Sequence, residues 1–590
     1  MNNEPDEKNT TLTDENNNVV PEMVHPAGTT ITPNNTHDQL DETAPASTSD
    51  NESSLPPATK PTQETALPNE PKKSKKKIIL LILAIIIGIG IGVGAWYLVT
   101  KGNNEEPSNS VAVTYNDVDV LRIGDTNGPI GVDVLFPNAP AAQTAQTIDF
   151  QVYEGLVGYS DQKIVPLLAT SWTNPDNNTW VFTLKEGVTF HNGKTVTAAD
   201  VKTSLDSLKE QDYWGGFLYT IDSVTVSEDN KVTITTTSSD SLLLNRLVFG
   251  FIYSKNDDET YSGTGAYTVD VENSKTEDAT KLVAYDAYHQ GRPKTRAIQY
   301  TIYKDFDSVL AALSEKKIDH ANYFKNTEEA AKLAQVGYDG YSYDSTGVYG
   351  ISMNMIKTGP LQKKEVREAL AYALNRDELT KVSTSRSEAS QYVLPKSVVG
   401  YDEMAKMPGY NPDKVVELLT KAGYPNGVTL EYAYIEGLQS DVPAIVESLN
   451  KAGFKNIKAK AYPSPREFVQ AGSTGNYDLL SGRYSTDLGD GLDTFSSLLG
   501  TDTSQFPSYS NPEFDKMLEE AAAAFKPAEH VQKVQELNRY VVDNFLYLPI
   551  DTTALTAYYL KTSNYAIDAI PAVNDMYFWK YGDSAPVSTN

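Results

Sequence analysis

The sequence predicts a mixed α/β or α+β globular part, residues 111–590, carried behind an apolar segment and a polar tail. Three observations predict it. Strand-like alternation stands at Trp180, Phe182 and Leu184, and again at Val232 and Ile234. Helices announce themselves between such strands by capping residues and one-sided apolar patterns. The chain has 590 residues with 40% hydrophobic content, too long for one ordinary core and apolar enough to fill more than one.

Residues 1–71 are rich in Asn, Thr, Pro, Asp and Glu and poor in aromatics. They cannot bury enough apolar surface to offset chain entropy, so disorder is expected there. Lys72-Lys73-Ser74-Lys75-Lys76-Lys77 follows, and then an uncharged run from Ile78 to Val99. About 20 apolar residues span a bilayer as a helix, so this run is expected to be a transmembrane helix. The lysines before it favour a cytoplasmic N-terminus, with everything after it outside the cell. A cleaved signal peptide is the competing reading, but its apolar core would be only about 7–15 residues long. Trp96-Tyr97 also closes the run as an interfacial anchor would. Residues 100–112 read as a polar linker.

Beyond the linker, Thr197 and Asp200 form a capping box, with Val201, Leu205 and Leu208 following on one face. Glu365 to Leu374 reads as a helix with Val366, Leu370, Ala373 and Leu374 on one side. Asn411-Pro412 opens another helix, carrying Val415, Val416, Leu418 and Leu419 and closed by Gly423. Asn511-Pro512 opens a third, with Phe514, Met517 and Leu518. No internal repeat is visible.

Composition narrows the chemistry. The net charge is −28, and an acidic surface repels phosphate backbones, so nucleic acid is not an expected partner. With no cysteine, disulfides, thiol catalysis and thiolate metal sites are excluded, as is lipid attachment to an N-terminal cysteine. The 6 histidines are dispersed without metal-ligand spacing, so no metal or cofactor is expected. The 36 tyrosines suit either a binding surface or solvent-facing sheet positions. No Gly-x-Ser-x-Gly, Walker loop or His-Glu-x-x-His occurs, and no pair of carboxylates stands out as a glycosidase pair, so an enzyme is not expected.

One stretch carries more specific information. It runs Pro166-Leu167-Leu168-Ala169-Thr170-Ser171-Trp172, then Trp180 to Lys194, then Thr197-Ala198-Ala199-Asp200-Val201. Its order and spacing resemble the extracellular solute-binding proteins of the dipeptide/oligopeptide/nickel type (family 5), which serve ABC importers. Tyr153-Glu154-Gly155-Leu156-Val157, Gly263-Thr264-Gly265-Ala266-Tyr267, Tyr288, Gly291-Arg292-Pro293, Val366 to Arg376, Tyr477-Asp478 and Tyr509 to Asp515 continue the likeness in the same order.

The resemblance implies a bilobed, periplasmic-binding-protein-like α/β fold, large and type II-like, joined by a hinge of two chain crossings. Lobe I would cover 113–351 with an extra subdomain at about 158–263, lobe II 352–552, and 553–590 would return to lobe I. Ligand would bind in the cleft between the lobes and be enclosed as they close.

It also implies the site. Peptide binders of this family set an Asp against the ligand's α-amine, and Asp487 falls at the matching position after Tyr477-Asp478. Tyr484, where the family often has Trp, would pack on the ligand's first side chain. Arg483 either meets the ligand carboxylate or projects into solvent. Asn354 and Tyr349 lie at the expected crossing and either line the cleft or serve the fold. The family's Pro after the Asp is absent, since Asp490-Gly491 stands there. The expected partners are a short peptide, a permease and an ATPase. A nickel chelate, an oligosaccharide or a sensor role stands as the alternative, the last because a disordered cytoplasmic tail is unusual for a transport subunit.

Overall fold

The computed structural model describes residues 119–560 apart from short breaks, together with 569–570 and 575–576. The breaks are 127, 133–134, 139–142, 161–162, 228, 275, 325–326, 383–387, 437–438 and 440. The tail, the 78–99 run and the linker lie outside the described residues. Among the described residues no helix is long and apolar enough to cross a membrane.

The strands used below are, in chain order, β1 (Leu121–Asp125), β2 (Ala169–Asp176), β3 (Thr179–Leu184), β4 (Ile221–Ser227), β5 (Lys231–Thr236), β6 (Tyr267–Val269), β7 (Ala279–Ala284), β8 (Ala297–Ile302), β9 (His320–Phe324), β10 (Tyr338–Met353), β11 (Val428–Ile435), β12 (Lys455–Tyr462), β13 (Leu479–Tyr484) and β14 (Tyr547–Leu560). The helices are α1 (Ala198–Lys209), α2 (Lys364–Ala373), α3 (Pro412–Lys421), α4 (Val442–Leu449), α5 (Gly491–Leu499), α6 (Pro512–Ala522) and α7 (Pro527–Asp543).

An 11-stranded sheet organises the described residues, in the order β6-β7-β8-β1-β9-β14-β10-β13-β11-β12, with the short strand Glu388–Ala389 also on β14. β10 and β14 are unusually long and run antiparallel through both halves of this sheet. The first half of β10 pairs with the last half of β14, beside β9. The register then shifts between Asp344 and Val348, and the remaining half of β10 pairs with the first half of β14 and with β13. Two adjacent strands thus form the crossing between the halves, with an irregularity in the ladder at that point.

The smaller sheet β2-β3-β5-β4 is separate. Its core follows from period-two alternation: Trp180, Phe182 and Leu184 are buried on β3, and Val232 and Ile234 on β5. α1 packs next to it in sequence, and its capping box is complete. Thr197 accepts from the Asp200 backbone while Asp200 accepts from the Thr197 backbone, and Val201, Leu205 and Leu208 are fully buried. The Asn411 and Asn511 side chains cap α3 and α6 as their sequences require. Val416 departs from expectation. It sits on the outer side of α3, 52% exposed, while Val415, Leu418 and Leu419 take the core face. A helix presents one stripe inward, and Val416 lies off it.

The segments Tyr153-Glu154, Gly263–Tyr267 and Tyr288 converge on one buried hub. The Glu154 carboxylate accepts from Thr264 Oγ1, Tyr288 Oη and His289 Nε2, each at 2.8 Å. A Cβ on Gly263 would sit 2.0 Å from the Val152 carbonyl oxygen, so only glycine lets the two backbones touch. These residues serve the framework that carries the small sheet.

Candidate functional site

β13 lies between β10 and β11, so both of its edges are hydrogen-bonded. All six of its residues, Leu479 to Tyr484, are buried. Two of the candidates lie on this strand. Tyr484 is 8% exposed, its ring edge-on to Tyr547 at 5.6 Å and its hydroxyl 3.3 Å from Ser352 Oγ. Burial pushes its phenol up to about 12. Arg483 does not project into solvent. It pairs with Asp551 at 3.0 Å, the two side chains being 8% and 0% exposed, because β13 and β14 both flank β10 and face the same side there.

Tyr349 stands opposite both Arg483 and Asp551 in the ladder. Its hydroxyl lies 2.5 Å from Ser481 Oγ and donates to Asp441 Oδ1 at 3.2 Å. Its ring lies beneath the Arg483 guanidinium at 5.7 Å. Asp441, just before α4, is raised above the ordinary carboxylate range, chiefly by burial, with the nearby Asp551 charge adding to it. Burial and the neighbouring Tyr432 and Asp441 push Tyr349 itself well up. The structure therefore builds a polar cluster of Tyr349, Asp441, Ser481, Arg483 and Asp551 at the strand crossing. It carries two carboxylates and one guanidinium.

Asn354 is placed differently. Its amide donates to the Gly475 and Tyr477 carbonyls and its oxygen accepts from the Lys357 backbone, so it ties the end of β10 to the turn before β13. Asp478 is likewise held by Lys357 and the Glu431 backbone.

Asp487 lies on the loop that leaves β13. Along Ser485–Asp490 burial alternates: Thr486, Leu488 and Asp490 point in, while Ser485, Asp487 and Gly489 are half-buried. The inward side chains are bonded. Thr486 Oγ1 donates to Asp493 and accepts from the Leu488 backbone, and Asp490 caps α5 through the Leu492 backbone. Asp487 itself is half-buried, between the buried Thr486 and Leu488. Of the sequence candidates, the structure joins Arg483 and Tyr349 in one cluster, packs Tyr484 on the opposite face of the same strand, and sets Asn354 at the far end of β10.

Sequence reasoning missed Asp441, Ser481, Asp551 and the buried pair of Asp490 with His530, whose Nε2 is 2.8 Å from Asp490 Oδ2. Asp551 is 68 residues from Arg483, and no local spacing announces such a pair. Among the described residues no group of three or more His, Cys, Asp or Glu could hold a metal ion.

Residues 163–506 match the family described as bacterial extracellular solute-binding proteins, family 5. Heme-binding protein A of Haemophilus influenzae is 26% identical over 450 residues, 68% of this chain and 81% of that protein. The glutathione-binding protein GsiB of Pectobacterium atrosepticum is 30% identical over 309 residues; the match covers 48% of this chain and only 58% of that protein. The fold is similar to that of DppA from Helicobacter pylori, solved in complex with the peptide STSA. The TM-score is 0.62 at 20% identity, covering 78% of this chain and 98% of the other.

Proposed function

We propose, starting from the fact that this chain belongs to the bacterial extracellular solute-binding proteins, family 5, that it captures short peptides and delivers them to an ABC permease and its ATPase. The observation that carries the peptide reading is the loop after β13, where Asp487 is half-buried between the buried Thr486 and Leu488. A free peptide brings an ammonium that must be paired when it is enclosed, because an unpaired buried ion is costly. Asp487 supplies the opposite charge. At the nearby crossing Arg483 pairs with Asp551 through Nη2, and Asp441 stands close by. The likeness to a heme-binding and a glutathione-binding protein makes those solutes the comparison ligands.

Titration calorimetry with free and N-acetylated tetrapeptides tests this reading. Asp487→Ala is expected to weaken binding of the free peptides by about 2–5 kcal/mol, the range for removing one partner of a buried charge pair. Equal binding of free and acetylated peptides, or an unchanged affinity in the variant, overturns the assignment.

The 78–99 run is the proposed membrane anchor, with residues 1–77 on the cytoplasmic side and the solute-binding part outside. Protease added to intact cells should then spare the tail; cleavage within residues 1–71 reverses the topology.

A further inference from the structure

The loop that presents Asp487 is gripped from the other side of the fold. The Leu488 carbonyl accepts from Asn245 Nδ2 at 2.8 Å and from Tyr159 Oη at 3.2 Å, and Asn245 also donates to Tyr159 Oη. Both residues belong to the part built around the small sheet, before residue 263. One turn away, the Ser241 backbone N–H donates to the Ala522 carbonyl at 2.9 Å, and Ser241 Oγ donates to the Ala521 carbonyl at 3.2 Å. Trp180 of β3 meets Phe525, just past α6, edge to face at 5.8 Å.

His530 on α7 sits at the centre of this junction. Its Nε2 faces Asp490, in the same loop as Asp487, and its Nδ1 lies 3.3 Å from the Ala521 carbonyl and 3.2 Å from Ser241 Oγ. A carboxylate and a carbonyl only accept hydrogen bonds, and a neutral imidazole has one N–H. With Ser241 Oγ donating to the Ala521 carbonyl, Nδ1 faces acceptors and the ring satisfies both sides as an imidazolium; the neutral ring is satisfied only if that hydroxyl turns to donate to Nδ1 instead. Burial alone would lower its pKa, but the hydrogen bond and charge of Asp490, with the carbonyls of Ala521 and Ala524, hold it above the ordinary 6.5.

We propose that Tyr159, Asn245 and His530 are positioning residues for Asp487. They tie the 485–490 loop to the small-sheet subdomain, so that presentation of Asp487 and docking of that subdomain form one coupled state, released when His530 gives up its second proton. The proposal rests on the peptide reading only for the nature of the ligand. The charged groups around the imidazole are Asp490 on the α5 side and, beyond Ser241, the buried Asp240–Arg246 pair with Asp493 acting on Arg246. Among these residue types histidine is the one whose ordinary pKa lies between about pH 5 and 8.

The sign follows from linkage. A raised folded-state pKa contributes stability that is fully present below the ordinary value and is lost as pH rises through the raised one. The junction is therefore closed in mildly acidic solution and loosens on the alkaline side of 6.5.

Hydrogen exchange of the full chain in detergent, corrected for intrinsic rates, at about pH 6 and about pH 8.5 brackets the titration of such a histidine. Segments 240–246 and 485–493 are expected to lose protection at the higher pH, by about tenfold for each unit of pKa shift. α3 should not change. His530→Gln should abolish the pH dependence. Asn245→Ala, which leaves the histidine in place, should lower protection of 485–490 at both pH values. Wild-type protection independent of pH, or a wild-type profile in His530→Gln, overturns the proposal.

Tetra-alanine binding, measured at both pH values, separates the two ideas. If the peptide fails to bind while the exchange profile follows His530, peptide capture falls and the coupling stands. If it binds equally at both pH values, the coupling falls and peptide capture stands.

Discussion

The strand crossing and the junction at His530 both tie elements before residue 344 to elements after it, by different means. At the crossing, two long strands share a backbone ladder on both sides of a register shift, and the side chains above it are a buried ion pair with a tyrosine beneath. At the junction, short loops meet through Asn245, Tyr159, Ser241 and His530, with few backbone bonds among them. Backbone ladders inside a sheet open only with the fold, whereas side-chain contacts between loops open locally at far lower cost. The crossing is thus a connection held as long as the fold is, and the junction is one that can open locally. A binder that must enclose and release its ligand needs one of each.

The largest expected effect breaks the element held with the fold. Arg483→Ala leaves Asp551 buried without its cation and should destabilise the protein by about 3–5 kcal/mol, read by urea unfolding of the full chain. A loss below about 1 kcal/mol would place the pair among weakly contributing ion pairs and remove the distinction drawn here. The smallest expected effect touches the element that opens locally. Ser241→Ala removes one neutral hydroxyl while leaving the backbone bond to Ala522, so global stability should fall by only about 0.5–1.5 kcal/mol. A global loss as large as that of Arg483→Ala would mean that the junction belongs to the same cooperative unit as the crossing.

Much of the fold was legible in the sequence where a local rule has a single outcome. Thr197 with Asp200 specifies a helix start because both bonds of the capping box lie within one turn. Trp180, Phe182 and Leu184 specify a half-buried strand because alternation admits no other period. Val416 was apolar but faced out, since hydrophobicity permits burial without requiring it.

The candidate site was legible in part. Asp487 was singled out by its place in an ordered likeness, and the alternation around it lies in the same few residues. Tyr484 was expected against the ligand, and Arg483 either at the ligand carboxylate or in solvent; the structure buries both beside β10 and pairs Arg483 with Asp551. Their surroundings are set by which strands lie on either side of β13, which no spacing within 479–484 encodes.

By itself, the sequence determined the secondary-structure starts, the exclusion of thiol chemistry, the acidic balance and the family pattern, because each depends on residues close in the chain or on composition alone. Only the tertiary structure decided that Arg483 would be neutralised by Asp551, that Tyr349 would join Asp441 to Ser481, and that His530 would stand between Asp490 and Ser241. Charges and hydrogen-bond donors select partners by distance in space and by exclusion of water. Both exist only once the sheet has brought distant segments together.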